Sequence, residues 1–285
     1  MRIIVTGVKG QLGYDCVREL KERGFKDVIG IDKDELDITD ESAVHKFVID
    51  AKPDVIMHNA GWPAVDKAEE CPELVNKVNV EGTRHLAEAA EKVGAKFVYI
   101  STDYVFPGAG EKYYEVDDLT GPTNIYGQSK LGGEIAARAC SKLFIIRISW
   151  VFGVNGNNFV KTMLKLGETH KEVTVVSDQI GSPTYTYDLS KLLCDMIVTD
   201  KYGVYHATNE GVCSWAEFAS EIFKLAKIDT VVHPITTSDY LKKNPVQAHR
   251  PLNSRLSKDS LDKAGFNRLP TWQDALARYL KELGL

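Results

Sequence analysis

Tyr126 and Lys130 have the residue types and the spacing of a proton-donating pair, because they stand four positions apart in Tyr-Gly-Gln-Ser-Lys. On a helix, positions i and i+4 lie side by side, so the Lys130 ammonium can lie near the Tyr126 phenol. A nearby cation favours the phenolate and lowers a pKa that is otherwise near 10. A tyrosine tuned in this way can donate a proton to a carbonyl oxygen while hydride reaches the carbon.

A second pair with the same spacing, Tyr187 and Lys191, shows that spacing alone does not identify a site. Tyr187 lies at the start of a predicted helix in the later part of the chain, and no strand ending in serine or threonine precedes it. We interpret it as a surface helix residue. Tyr126 instead lies downstream of a predicted strand that ends in Ser101-Thr102-Asp103, which favours Tyr126 as the functional member.

Three glycines after the first predicted strand have the spacing of a dinucleotide-binding turn: Gly7, Gly10 and Gly13. Glycine lets the chain turn tightly, approach a pyrophosphate closely and pack the following helix against the strand. The N-terminus of that helix then holds the anion. We predict a dinucleotide site at this turn; a glycine-rich turn without a ligand is the alternative.

Two charged residues follow the second predicted strand, where a dinucleotide fold places the adenine ribose. Asp32 stands at about the 20-residue distance expected for an acid that bonds the ribose hydroxyls, which favours NADH. Lys33 follows directly and could instead meet the 2′-phosphate of NADPH, or lie in a solvated loop. The sequence therefore predicts a nicotinamide cofactor and leaves NADH and NADPH both open.

The third predicted strand ends in His58-Asn59-Ala60-Gly61. Small residues at this point would let the backbone line the cofactor. Asn59, Ala60 and Gly61 are therefore candidate cofactor residues. We interpret His58 as a packed strand residue, because its neighbours explain the segment without it.

The elements that position these residues are predicted strands and helices, which alternate along the first 150 residues. Short β-branched runs predict strands, and amphipathic stretches between them predict helices. The strands are Ile3–Thr6, Val28–Asp32, Val55–His58, Phe97–Ser101 and Phe144–Ile148, and the helices include Cys16–Arg23, Leu74–Val93 and Gln128–Ala139. This alternation predicts an α/β fold with a doubly wound parallel sheet of the Rossmann type, whose ligands bind beyond the carboxyl ends of the strands.

The later part of the chain is less regular and predicts a smaller α/β lobe for the substrate. Its predicted helices are Asn158–Gly167, Leu189–Thr199, Trp215–Ala226 and Trp272–Leu283. We expect a dinucleotide-binding domain over residues 1–150 and a mainly substrate-binding lobe over 151–285. Segments of about 183–207 and 235–257 are candidates to return to the first domain.

Composition excludes several classes of protein. The 285 residues carry a net charge of -5, so the basic footprint that a nucleic-acid partner needs is missing. No run of about 18 apolar residues predicts a membrane span, and the first residues lack the pattern of a secretory signal. The five cysteines have no CxxC spacing, which favours free thiols in a reducing cytoplasm over a disulfide framework.

Several segments together resemble the extended short-chain dehydrogenases/reductases, and within them the dTDP-4-dehydrorhamnose reductase family. The matching segments run in order over nearly the whole chain, from residue 6 to about 257. They are TGVKGQLG, LDITD, PDVIMHNAG, VDKAE, YISTDYVFPG, YGQSKLGGE, RISWVFG, NNFVKTML, DQIGSPTYTYDL, CSWAEFA and RPLNSRLS. The resemblance implies NAD(P)H-dependent reduction of a keto-deoxy sugar carried on dTDP.

The resemblance also implies roles for individual residues. Thr102, Tyr126 and Lys130 would form the catalytic trio, with Thr102 bonding the substrate carbonyl region and Lys130 holding the nicotinamide ribose. Further cofactor contacts would come from Gly10, Gln11, Leu12, Asp37, Ile38, Gly61, Trp62 and Pro63. Substrate contacts would come from Thr102, Asp103, Trp150, Asn158, Gln179 and Arg250. Trp150 has an alternative interpretation as a core aromatic at a strand end.

The sequence departs from the family pattern at one cofactor segment. The family has HNAAYTAVDKAE where this chain has HNAGWPAVDKAE, so Pro63 replaces a residue that could donate a hydrogen bond. Some family members bind magnesium at a dimer interface through C-terminal acids. We identify no metal site in the sequence; magnesium and a homodimer are carried as implications of the resemblance.

Two other functions compete with the reductase. A nucleotide-sugar dehydratase or epimerase of the same superfamily is one; dehydratases need a glutamate after Thr-Asp, and here Tyr104 follows Asp103. The other is a binding protein, similar to the regulatory subunit of methionine adenosyltransferase, that keeps the fold to bind a partner. The complete set of Thr102, Tyr126 and Lys130 favours catalysis.

Overall fold

The computed structural model describes residues 1–243 and 248–285. Residues 244–247, inside the segment 235–257 that we expected to return to the first domain, lie outside the described residues. Within the described ranges, no helix combines the length and the apolar character that crossing a membrane requires.

Strands and helices alternate through most of the chain. The strands are β1 Arg2–Thr6, β2 Asp27–Ile31, β3 Val55–His58, β4 Lys96–Thr102, β5 Leu143–Ile148, β6 Val151–Phe152, β7 Glu172–Val176, β8 Ile180–Gly181, β9 Thr184–Tyr185, β10 Gly203–His206, β11 Cys213–Ser214, β12 Val231–Ile235 and β13 Asn253–Ser254. The helices are α1 Gln11–Glu22, α2 Glu41–Ala51, α3 Val65–Glu70, α4 Pro72–Asn76, α5 Gly82–Val93, α6 Ile125–Ala137, α7 Phe159–Gly167, α8 Thr186–Ile197, α9 Trp215–Ala226, α10 Thr237–Lys243, α11 Asp259–Ala264 and α12 Trp272–Glu282. A π-helical turn, Lys77–Glu81, joins α4 to α5.

The main sheet has six strands in the order β10-β5-β4-β3-β1-β2, and every neighbouring pair is parallel. Its central strands are buried on both faces, which explains their continuous apolar runs. One core cluster packs α1 and α8 against one face, and another packs α2 and α5 against the opposite face. The prediction of a doubly wound parallel sheet is confirmed.

The five predicted strands are present with bounds within one residue of the predictions. The sixth strand, β10, was not predicted from the sequence, because it begins at Gly203, whose φ of +153° is rare for other residues, and lacks a continuous apolar run. Helix α1 begins at Gln11 rather than at the predicted Cys16, because the glycines of the turn lie next to its first residues and obscure the helical pattern there. The predicted helix Leu74–Val93 is interrupted by the π-helical turn that carries Asn79.

The later residues form a separate core on which α7, α9 and α12 pack. Small sheets line it: β7 pairs with β12, and β8 lies between β11 and β13. Strand β13 brings the segment around residue 254 to the carboxyl end of the main sheet, where Ser254 donates a hydrogen bond to Asp103. The two lobes therefore meet at the edge where ligands of such sheets bind.

Candidate active site

The turn between β1 and α1 has space only for glycine at two of its three positions. A Cβ at Gly13 would lie 2.1 Å from the Gly7 carbonyl oxygen, and one at Gly7 would lie 2.8 Å from the Ala60 nitrogen. Gly7 also has a φ of +69°, which glycine adopts without strain. Gly10 begins the helix as an N-cap without a side chain, so no side chain covers the first amides of α1. These open amides, at Gln11, Leu12 and Gly13, suit an anion.

Asp32 is held beside this turn by backbone hydrogen bonds. Its two carboxylate oxygens accept the backbone amides of Lys9 and Lys33, each at 2.9 Å. Lys9 is itself in an ion pair with Asp34 on the surface. The acid predicted to meet the adenine ribose is therefore ordered, with two lysines beside it.

Asp37 and Ile38 lie on the connection from β2 to α2. Asp37 accepts hydrogen bonds from the amide and the hydroxyl of Thr39, and these bonds lower the pKa of its carboxyl. The Ile38 carbonyl oxygen is bonded to His85 Nδ1 at 3.0 Å, and its side chain fills the space that a Cβ at Gly82 would need. Both residues are fixed by their own neighbours, at the edge of the sheet that holds Asp32.

His58 is buried and joins the turn after β3 to helix α5 through a directed chain of hydrogen bonds. The Thr83 hydroxyl donates to the Asn79 carbonyl oxygen, so it accepts from His58 Nε2 at 3.1 Å. His58 Nδ1 then accepts from Thr6, whose hydroxyl accepts the Ala60 amide at 3.0 Å. Burial lowers the pKa of His58 to about 3, and the Lys130 charge adds to this effect. The neutral imidazole positions backbone rather than titrating.

The segment after β3 lies beside the Tyr-Lys helix. The Trp62 amide donates to Asn79 Oδ1 at 2.7 Å, and Asn79 Nδ2 donates to Ser129 on α6 at 2.9 Å. A Cβ at Gly61 would lie 3.1 Å from the same Asn79 oxygen and 3.9 Å from Lys130 Nζ.

Three cofactor candidates remain on this segment. Both amide atoms of Asn59 are buried without a hydrogen-bond partner within residues 1–243 and 248–285, so a bound group could satisfy them. Ala60 is fixed through its amide, as above. Pro63 is exposed between Trp62 and Ala64.

Lys130 is 7% exposed, and its ammonium makes no hydrogen bond to any residue that the structure describes. Its Nζ lies 4.3 Å from the centre of the Tyr99 ring, a weaker interaction than an ion pair. Burial lowers the pKa of Lys130 to about 7, while the charge of Glu134 acts in the opposite direction. A buried lysine without a polar partner is costly, which marks this position as functional.

Tyr126 lies in the first turn of α6, which Asn124 caps by accepting the Gly127 amide at 2.7 Å. Its ring packs edge-on against Tyr104 at 5.4 Å between ring centres. Burial raises the pKa of Tyr126 to about 12, the Asp103 charge raises it further, and the Thr102 hydroxyl opposes both. The expectation that a cation lowers this pKa is wrong here, because burial of the phenol dominates and Lys130 has no resolved effect on it.

Thr102 and Asp103 end β4 within reach of this tyrosine. The Thr102 hydroxyl donates to Asp103 Oδ1 at 2.9 Å, and Ser254 donates to the other carboxylate oxygen. Burial raises the pKa of Asp103 to about 6, although both hydrogen bonds favour its charged form. The structure thus brings Thr102, Asp103 and Tyr126 together at one end of the sheet.

A buried ion pair that sequence reasoning missed holds α6 against the sheet. Glu134 accepts two bonds from Arg147 on β5, both at 2.8 Å, and a third from Ser101 at 2.6 Å. Glu134 lies one helical turn beyond Lys130. An arginine inside an apolar strand was the available signal, since such a residue needs a buried acid.

The predicted substrate residues are more dispersed. Trp150 has a φ of +49°, and its ring stacks on Trp215 with centres 3.8 Å apart; sequence reasoning missed Trp215. Gln179 is buried and donates to Thr237 at 3.1 Å. Arg250 forms an ion pair with Asp66 at 2.8 Å.

Asn158 has a structural position that the sequence did not reveal. It caps α7 by accepting the Lys161 amide, and its Nδ2 donates to the Gln11 side chain at 3.0 Å and to the Tyr279 hydroxyl at 3.1 Å. It therefore ties the glycine-rich turn to the second lobe. These contacts use the amide that was expected to meet substrate.

Glu41, His45 and Glu88 form the one group of three adjacent metal-ligand side chains found within the two described ranges. Their ligand atoms lie within 4.8 Å of one another, on α2 and α5. His45 Nδ1 is engaged by Lys92 at 3.1 Å. An imidazole and a neighbouring ammonium do not suit magnesium, which prefers oxygen ligands.

Comparison with known proteins identifies the family. Residues 1–285 match the family model described as RmlD substrate binding domain. The chain belongs to this family. It is 41% identical to the spore coat polysaccharide biosynthesis protein SpsK of Bacillus subtilis strain 168, over 99% of this chain and 97% of that protein.

Two solved structures are similar over almost their whole length. A dTDP-4-dehydrorhamnose reductase from Clostridium acetobutylicum ATCC 824 is 42% identical, with a TM-score of 0.96 and full coverage of both chains. The dTDP-4-dehydrorhamnose reductase from Bacillus anthracis str. Ames, solved in complex with NADP, is also 42% identical. Its TM-score is 0.94, with 99% coverage of each chain.

Proposed function

We propose that this chain reduces the 4-keto group of dTDP-4-dehydro-L-rhamnose to dTDP-L-rhamnose with NAD(P)H. The observation that carries the proposal is Lys130, a buried ammonium without a hydrogen-bond partner among the described residues, on the same helix as Tyr126. The family match over the whole chain supports the oxidoreductase class, and the reductases to which the chain is similar support the substrate.

The glycine turn fits a nicotinamide dinucleotide. Its open α1 amides and the cradle that a Cβ would fill suit the pyrophosphate, and the orphaned amide of Asn59 offers a polar partner beside it. When bound, the cofactor supplies a hydride. Asp32 would accept a ribose hydroxyl, which favours NADH, while Lys9 and Lys33 beside it offset the charge of a 2′-phosphate.

Tyr126 is the proton donor in this proposal. Its pKa of about 12 keeps the phenol protonated at neutral pH, so the proton is present when the carbonyl oxygen requires it. The carbonyl carbon gains the hydride and its oxygen gains the Tyr126 proton, which completes the reduction. Thr102 would bond the same oxygen and orient it toward the phenol.

Lys130 has two roles in the proposal. Beside Gly61, its ammonium would bond the nicotinamide ribose, and its positive charge would stabilise the developing tyrosinate. Because its pKa is about 7, it is partly protonated at neutral pH and can help to restore the Tyr126 proton.

The substrate would lie between the lobes. Asp103 and Trp150 would face the sugar, and Gln179 the rest of the sugar nucleotide. Arg250 would face the diphosphate, since a guanidinium suits paired phosphate oxygens. Asn158, whose amide is already bonded, would act by holding the glycine turn against the second lobe.

The direct test is reduction of dTDP-4-dehydro-L-rhamnose by the purified chain, with NADPH and NADH supplied separately. Oxidation of the cofactor is followed by absorbance, and dTDP-L-rhamnose is identified by NMR. We expect turnover that depends on the keto sugar. Matched reactions contain dTDP-glucose with NAD⁺, the substrate pair of a dehydratase. Product from those reactions and none from the keto sugar would refute the proposal.

A further inference from the structure

A small polar chamber lies beyond the end of β10, on segments that contribute none of the predicted site residues. Its volume is about 150 Å³, well above the roughly 10–15 Å³ that one water requires. It is lined by Tyr113, Glu210, Gly211, Leu256, Ser257, Lys258, Asp259 and Arg268. Small-molecule sites for larger ligands occupy about 300–1,000 Å³, so the chamber suits a ligand of a few heavy atoms.

Lys258 is the cation that faces this chamber. It is 4% exposed, and its ammonium has neither a hydrogen bond nor an ion pair with the described part of the chain. The centre of the Tyr113 ring lies 5.9 Å from Nζ, at the outer limit of a cation–π contact, which is weaker than a charge-assisted hydrogen bond. Arg268 differs, because Asp262 and Asp259 already bond its guanidinium.

Two polar atoms on or behind the chamber wall are buried and make no hydrogen bond within the described ranges: Glu210 Oε1, on a lining residue, and Trp272 Nε1, behind Gly211. The same Glu210 oxygen lies 3.6 Å from Arg268 Nη1 in an ion pair. A Cβ at Gly211, which lines the chamber, would lie 3.4 Å from Trp272 Nε1. In the chamber, the Lys258 ammonium therefore lacks a hydrogen-bond acceptor among the described residues, and one Glu210 carboxylate oxygen lacks a hydrogen-bond donor.

We propose that this chamber binds a small tetrahedral oxyanion that carries a proton, with dihydrogen phosphate as the representative ligand. Its oxygens accept from Lys258, and its hydroxyl donates to Glu210. A neutral polyol would leave the Lys258 ammonium without a charged acceptor, whereas a dianion would be repelled by Glu210 and Asp259. The singly charged, protonated oxyanion satisfies both constraints.

The same chemistry could come from a free ion or from the phosphate of a bound nucleotide. The chamber is too small for a nucleotide, and its residues come from four segments outside the glycine turn. We therefore assign it to a free ion. Competition by dTDP and by NADP separates the two sources.

The test is calorimetric titration of inorganic phosphate into the full chain at pH 6.5, where much of the phosphate is singly charged. Lys258→Met removes the ammonium at similar side-chain length. Lys263→Met on α11, the helix that Lys258 caps, is the matched control, because Lys263 is exposed and lies outside the chamber. Glu210→Gln removes the negative charge of the chamber at a partly exposed side chain. If circular dichroism shows that Lys258→Met does not fold, Glu210→Gln provides the test in its place.

We expect saturable 1:1 binding that weakens about tenfold or more in Lys258→Met, as loss of a charge-assisted hydrogen bond implies. Lys263→Met should leave the affinity unchanged, and Glu210→Gln should strengthen binding of the dianion at pH 8. Neither dTDP nor NADP should displace the ion. Absence of saturable binding, equal affinity in wild type, Lys258→Met and Glu210→Gln, or displacement by either nucleotide would overturn the proposal. Keto-sugar reduction is measured separately, so failure of one proposal does not imply failure of the other.

Discussion

Replacing Lys130 with methionine should abolish reduction while it makes the protein more stable at neutral pH. Burial lowers the pKa of Lys130 from 10.5 to about 7. Each unit corresponds to about 1.4 kcal/mol, so a charged Lys130 costs the folded state on the order of 5 kcal/mol. Methionine fills similar space without that charge. A residue retained at such a cost is expected to serve function rather than folding.

The sign of the pH dependence follows from proton counts. Between pH 7 and pH 10.5 the unfolded chain holds a proton on Lys130 that the folded chain has largely released. The free energy of unfolding of the wild type should therefore rise with pH in this range. From pH 7 to pH 9 the rise due to Lys130 should be about 2 kcal/mol, and the methionine variant should lack it.

Urea denaturation followed by circular dichroism at pH 7, 8 and 9 measures both chains. Other groups that titrate in this range are common to both, so the difference between the two curves isolates Lys130. We expect the variant to be more stable at pH 7 and the curves to converge as pH rises. Parallel curves, or a variant less stable than the wild type at pH 7, would refute the reasoning about this lysine.

Two further substitutions test the turn and the buried ion pair. Gly13→Ala should weaken NADPH binding at least tenfold in a fluorescence titration, because the added Cβ would lie 2.1 Å from a backbone oxygen. Gly121→Ala is the control: its Cβ would meet no atom closer than 3.7 Å, so this variant should bind NADPH with the wild-type affinity. Glu134→Gln should lower the free energy of unfolding by about 3–5 kcal/mol, since it leaves Arg147 buried without its counter-ion. Glu221→Gln, at a surface pair, should change it by less than about 1 kcal/mol.

Much of the fold could be predicted because the main strands are bounded apolar runs. Val55–His58 is buried on both faces, and its run ends where the polar and small residues begin. Strand β10 could not be predicted in this way, because its residues Gly-Val-Tyr-His do not form a continuous apolar run and its first two are only half-buried. The π-helical turn at Asn79 could not be predicted from the spacing of apolar residues either.

Parts of the candidate site could be predicted from the sequence where a residue type in a given spacing has few possible physical roles. The glycine turn belongs to this class, whereas the Tyr126–Lys130 pair was distinguished from Tyr187–Lys191 by its position downstream of Ser101-Thr102-Asp103. The direction of the Tyr126 pKa did not follow from the spacing, because it depends on burial and on Asp103, which only the packed structure reveals. Likewise, the hydrogen bonds of His58 join residues from three separated segments.

Single-turnover reduction of dTDP-4-dehydro-L-rhamnose by the Tyr126→Phe variant, with cofactor already bound, tests the central claim most directly. Phenylalanine keeps the ring against Tyr104 and removes only the proton that we assign to the carbonyl oxygen. The rate of the chemical step should fall on the order of 10²–10⁴-fold while NADPH binding is retained. A folded variant that binds NADPH and reduces the sugar at the wild-type rate would contradict the account.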